Sequence, residues 1–207
     1  MRIGIIGAGH IGGTLARRFV DVGNDVTLAN SRGPETLRDT VEQLGPHARA
    51  GTIADVANDQ DVVVISIPLT RVHELPAEAF GGTIVVDTNN YYSTPGTEIA
   101  ELDDGSTTSS EFLARYLQGA RVVKAFNTLY YERLRDDGRP AGDPERLAIP
   151  IAGDDADAKR TVSGLVDAIG FDPVDGGPLA NGRHQEPGTA IYGATLAKDA
   201  AARALAS

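Results

Sequence analysis

A short apolar strand running straight into three spaced glycines constrains this chain more than any other feature. It opens Met1-Arg2-Ile3-Gly4-Ile5-Ile6-Gly7-Ala8-Gly9-His10-Ile11-Gly12. A G-x-G-x-x-G alone is weak evidence. Here an apolar strand precedes it and a helix-periodic run (Ile11, Leu15, Phe19, Val22) follows, which is the context of a dinucleotide-binding βαβ unit. Gly7 permits the tight turn, Gly9 lets backbone approach a pyrophosphate, and Gly12 lets the helix pack on the strand. The helix N-terminus offers N–H groups and a positive dipole end to phosphates. Gly7, Ala8, Gly9, His10, Ile11 and Gly12 are therefore the first cofactor-binding candidates. The plain alternative is a glycine-rich turn before an ordinary helix.

The end of the second strand names the cofactor. An NAD site places an Asp or Glu about 20 residues past the motif, on the ribose 2′-OH. Here Asp25-Val26-Thr27-Leu28-Ala29 ends at Asn30-Ser31-Arg32, with no carboxylate at the tip. Ser31 can donate a hydrogen bond to a phosphate, and the planar fork of Arg32 can clamp one. This is an NADP pattern, unless Arg32 is only a solvated loop charge.

Strand and helix signals alternate nearly throughout, which predicts an α/β, Rossmann-type doubly wound parallel sheet. Strands are expected at 2–6, 25–29, 62–67, 83–87, 121–126, 147–152 and 171–175. Pro150 places the sixth at an edge or strand end. Helices are expected from Ile11 to Gly23, 35–44, 52–58, 110–117 capped by Ser110, 155–169 and 189–205. Residues 1–140 read as the NADP-binding domain and 141–207 as a small C-terminal lobe completing the substrate cleft. The apolar, small-residue surface of the terminal helix predicts a homodimer.

Composition narrows the function. The formal net charge is −10 and there are no cysteines. Acidity argues against a nucleic-acid or anionic-membrane partner. No apolar run approaches the roughly 18 residues of a membrane helix, and no signal peptide is visible. A cytoplasmic location is expected. Lack of cysteine removes thiolate chemistry and Cys-ligated metals. No histidine lies beside a second ligand at metal spacing, so no metal site is expected.

The third strand tip, Ser66-Ile67-Pro68-Leu69, is small and apolar. In a doubly wound sheet it would let a flat ring lie against the backbone. The fifth strand ends Ala125-Phe126-Asn127-Thr128. Asn127 both donates and accepts, so it can bond a nicotinamide carboxamide or a substrate, or cap the segment that follows. His184 follows the last strand and can reach a cleft. Asn127 and His184 are weak catalytic candidates; no residue set for strong acid–base work is visible. Hydride transfer between bound rings needs proximity and orientation more than a strong base.

Taken in order, Gly7 to Gly12, Asn30-Ser31-Arg32, Ser66-Ile67-Pro68, Val122 to Thr128, Pro150 to Asp155, Ile169-Gly170-Phe171 and Asp175 to Leu179 resemble one family. It comprises the NADPH-dependent reductases of the deazaflavin coenzyme F-420, related to the N-terminal domain of pyrroline-5-carboxylate reductase. The resemblance implies a compact dimer with the deazaflavin stacked on the nicotinamide. By position, Asn30-Ser31-Arg32 would hold the 2′-phosphate and Ile67-Pro68-Leu69 would back the nicotinamide. Tyr91, Tyr92, Tyr130 and Tyr131 fall at the expected mouth. The expected function is hydride transfer between NADP(H) and a planar acceptor, with F-420 leading. Another acceptor (imine, flavin or quinone) and a non-catalytic NADP(H)-binding sensor are the alternatives.

Overall fold

The computed structural model describes residues 1–206. Eight strands form one sheet: β1 Arg2–Ile6, β2 Asp25–Ala29, β3 Ala48–Ala50, β4 Val62–Ile65, β5 Ile84–Asp87, β6 Arg121–Lys124, β7 Ala148–Gly153 and β8 Asp172–Asp175. Their order is β3-β2-β1-β4-β5-β6-β7-β8. The first six are parallel, β7 is antiparallel to β6, and β8 is parallel to β7. The helices are α1 His10–Asp21, α2 Arg38–Leu44, α3 Ile53–Ala57, α4 Ala100–Asp103, α5 Ser109–Tyr116, α6 Tyr131–Asp136, α7 Ala156–Ala168 and α8 Lys198–Leu205.

The apolar runs read as strands are covered on both faces. On one face Ile3, Ile5 and Val64 pack against Leu15 and Phe19 of α1 and Val162 of α7. On the other, Val63, Ile65 and Val85 meet Val56 of α3 and Leu113 of α5. Burying each such side chain contributes about 1.5–3 kcal/mol, which is why the strands carry no polar alternation. The chain winds outward through β2 and β3, then crosses back to β4 on the far side of β1. The crevice therefore opens past the ends of β1 and β4, where the strand order reverses.

Several boundaries differ from the sequence-based expectation. β3 was not anticipated, because three residues give too short a pattern. The cap of α5 is Thr108 in a reciprocal pair with Glu111, not Ser110. β7 is an interior strand despite Pro150. Its pairing with β6 involves only Ala152 and Gly153, so the missing proline N–H falls outside that ladder. The terminal helix begins only at Lys198. Gly188 and Gly193 both adopt positive φ, 92° and 74°, a conformation that interrupts a right-handed helix. Residues 189–197 instead run as turns that end alongside β7, where the Ala148 N–H donates to the Leu196 carbonyl.

Candidate active site

Two of the three motif glycines are required by the chain itself. A Cβ on Gly7 would collide with the Ser66 carbonyl, and one on Gly12 would collide with the Gly7 carbonyl. Gly7 also sits at φ 109°. Gly9 differs: a Cβ there would meet nothing within 4 Å. The fold leaves that space open above the N-terminus of α1, where no side chain caps the helix. A pyrophosphate lying against backbone fits this gap.

The β2 tip is built by its asparagine. The Asn30 side-chain Oδ1 accepts the Arg32 N–H at 2.9 Å, and its Nδ2 donates to Thr36 Oγ1 at 3.0 Å. Asn30 thus shapes the turn, while Ser31 and Arg32 are exposed. Arg32 is a free guanidinium: no ion pair or side-chain hydrogen bond engages it among the described residues. In a chain of charge −10, an unpaired cation at this tip is well placed for an anion.

Three clefts surround the glycine loop. The first, about 230 Å³, lies between the β1 and β4 tips and is lined by Gly7, Gly9, Asn30, Ser31, Ser66, Ile67, Pro68, Arg71 and Glu74, among others. Ser66 to Pro68 therefore line the same cleft as Asn30 and Ser31, the residues expected at the 2′-phosphate, and not the Asn127 cavity at the β5 and β6 tips, which differs from the expectation that Ile67-Pro68-Leu69 backs the nicotinamide. Leu69 does not face the first cleft; only 3% exposed, it packs into the core beneath with Val72 and Leu75. The second is shallow and is lined by Ala8, Gly9, His10, Gly13, Thr14, Tyr131 and Arg135. There the His10 ring stacks on Tyr131, with centroids 4.3 Å apart.

The third cavity, about 160 Å³, lies at the β5 and β6 tips. It is lined by Ile11, Thr88, Asn90, Phe126, Asn127, Leu129, Tyr130, Tyr131 and Tyr192. Phe126 adopts φ 63°, a left-handed conformation that is strained for a bulky residue. Its ring is buried against Phe19, with centroids 6.1 Å apart. Next to it, the Asn127 amide donates to Asn90 Oδ1 at 3.1 Å and to the Gln185 carbonyl at 2.7 Å. Asn90 returns a bond to the Asn127 carbonyl at 3.0 Å. Asn127 Oδ1 is buried without a partner. Since buried acceptors are normally paired, this oxygen suits an N–H donor on a ligand. Asn127 ties two loops together rather than capping its own segment.

Of the four mouth tyrosines, Tyr91 points elsewhere: its hydroxyl donates to Asp103 and accepts from the Ile99 N–H. Tyr92 meets Tyr192 hydroxyl to hydroxyl. Burial first, and then the Tyr92 hydroxyl, raise the Tyr192 pKa above the ordinary phenol value. Both effects favour the neutral phenol, and either hydroxyl of the pair can be the donor. His184 lines none of the three clefts.

Sequence reasoning missed the support beneath this cavity. Lys124 is fully buried. Its ammonium donates to the Asn89 carbonyl at 3.1 Å, Ser109 Oγ at 2.8 Å and Ser110 Oγ at 3.2 Å, and it lies 3.8 Å from Asp87. Asp87 in turn accepts the Asn89 N–H at 3.0 Å. The network holds the loop that carries Asn90. The signal was present as an Asp that ends the apolar run of β5 and a Lys that follows Val122-Val123 at the end of β6. Their register across β5 and β6 makes them partners.

Residues 2–91 match the family model described as NADP oxidoreductase coenzyme F420-dependent. Over these residues the chain is similar to this family of NADP oxidoreductases. A hypothetical protein from Sinorhizobium meliloti is 34% identical, with a TM-score of 0.83 over 96% of each chain. A protein from Arthrobacter sp. FB24, provisionally named an F420-dependent NADP-reductase, is 27% identical, with a TM-score of 0.73 over 88% of this chain and 87% of that one. The metalloreductase STEAP3 of Rattus norvegicus is 30% identical over 187 residues, 89% of this chain. The chain spans only 36% of that relative's length. Among the described residues, no helix is long and apolar enough to cross a membrane.

Proposed function

We propose that this chain transfers hydride between NADP(H) and a planar acceptor, the deazaflavin coenzyme F-420. The observation that carries the reading is the aromatic-walled cavity at the β5 and β6 tips, lined in part by Asn127, whose Oδ1 is buried without a partner. NADP(H) supplies or takes the hydride. The chain's residues bind and orient. Backbone N–H groups at the start of α1 hold the pyrophosphate, and Ser31 and Arg32 take the 2′-phosphate. Asn127 Oδ1 accepts from the carboxamide and fixes the face of the nicotinamide ring. Tyr130 and the Tyr92–Tyr192 pair cover the acceptor and exclude water. Stacking contributes about 0.5–1.5 kcal/mol per aromatic pair, enough to orient a ring. Proximity then carries most of the rate.

The likeness to a metalloreductase favours a second reading, in which NADPH reduces another acceptor at the same mouth. Following NADPH oxidation with F-420, free flavins, a quinone, a cyclic imine and a ferric chelate decides between them. Turnover with F-420 supports the first reading; turnover only with another acceptor supports the second. Tight NADPH binding without any turnover would leave a sensor. Cytoplasmic location and a homodimer belong to this proposal. On α8, Ala201 packs on its own sheet against Ala148 and Val174, while Ala204 and Leu205 are only partly buried. Sedimentation at micromolar concentration tests the homodimer.

A further inference from the structure

We propose that Arg71 is a second cation for the 2′-phosphate of NADP(H), held in position by Glu74. This rests on the reading of the first cleft as the adenosine end of the site. Arg71 and Glu74 lie on the 3-10 turn Leu69–Glu74, directly after the β4 tip. Both line the cleft that Asn30 and Ser31 line from the opposite strand. They pair side-on: Arg71 Nε lies 2.7 Å from Glu74 Oε1, and Nη2 lies 2.6 Å from Oε2. That geometry occupies one edge of the guanidinium. Both N–H groups of Nη1 have no protein partner, so the remaining edge can donate to a phosphate, while Glu74 fixes the plane of the fork.

The charges point the same way. A carboxylate lining a cleft for a phosphate is repulsive unless a cation compensates it. Glu74 has Arg71 as its compensating partner. An exposed pair three residues apart would do nothing for a ligand on a convex surface; this one forms part of a cleft wall. Arg32 at one tip and Arg71 at the other would bracket the phosphate. An unphosphorylated ribose gains from neither.

Two probes that differ only by the 2′-phosphate test the proposal: 2′,5′-ADP and 5′-AMP, titrated calorimetrically into the intact protein. The wild type should prefer 2′,5′-ADP. Arg71→Ala should weaken 2′,5′-ADP by about 10- to 100-fold, the range for a lost charge-assisted contact, and change 5′-AMP little. Adding Glu74→Gln to Arg71→Ala should recover part of the loss, because the unpaired carboxylate is gone. Unchanged thermal melting of Arg71→Ala confirms that folding is intact. Equal weakening of both probes would make Arg71 an adenine wall and overturn the proposal. So would an undiminished preference in Arg71→Ala, which leaves the NADP reading standing. No preference in the wild type would remove that reading and the role of Arg71 with it.

Discussion

Replacing Gly9 and Gly12 by alanine in parallel separates what the fold needs from what the cofactor needs. A Cβ at Gly9 touches nothing, and its backbone, φ −78° and ψ −163°, is open to any residue. Gly9→Ala should therefore shift stability by no more than about 0.5 kcal/mol. At Gly12 the added carbon overlaps the Gly7 carbonyl, and overpacking of this kind costs about 1–3 kcal/mol. At about 2–4 °C per kcal/mol for a chain of this size, Gly12→Ala should melt several degrees lower. Binding should show the opposite contrast with folding. At Gly9 the methyl stands where the pyrophosphate must approach. Losing one or two charge-assisted bonds, at about 1.5–3 kcal/mol each, predicts an affinity loss of roughly 10- to 10,000-fold. NADPH and NADH should suffer alike, since both carry the pyrophosphate. Differential scanning fluorimetry gives the melts and fluorescence titration gives the affinities. A Gly9→Ala protein that binds NADPH like the wild type would refute the assignment of this gap to the cofactor. A large drop in its melting temperature would refute the claim that the space is empty.

Arg32→Ala should weaken NADPH by about 10- to 100-fold while barely changing NADH, as measured by equilibrium titration of both; equal affinities of the wild type for the two cofactors would remove the premise. Lys124→Met strands Asp87 as a buried, uncompensated charge and should destabilise by about 3–5 kcal/mol, read from the urea midpoint; a shift below 1 kcal/mol would mean that the ammonium is not needed there. Tyr192→Phe removes one hydroxyl from the pair with Tyr92 and should lower kcat/KM for the acceptor by about 2- to 10-fold with NADPH affinity unchanged. An equal loss in NADPH affinity would place Tyr192 on the cofactor side instead.

The features legible in the sequence were those written in local spacing. The glycine interval announced the turn before α1, because only glycine fits against the Ser66 carbonyl at position 7 and against the Gly7 carbonyl at position 12. The continuous apolar runs at Val62 and Ile84 announced strands buried on both faces, because a strand covered twice has no wet side. The missing carboxylate at Asn30-Ser31-Arg32 pointed to NADP for the same local reason. Pro150 and the terminal helix misled, because a strand's place in the sheet and a helix's start depend on neighbours that the segment does not contain. The constellation at the β5 and β6 tips was beyond that kind of reading. Asn127 meets Asn90 and Gln185 across 37 and 58 residues, and Tyr92 meets Tyr192 across 100. Lys124 finds Asp87 only because β5 and β6 pair in one register. Such partners are chosen by where crossovers return the chain to the sheet. A periodicity of two or 3.6 residues carries no record of that, so the tertiary structure alone decided which side chains line the mouth and which hold it in place.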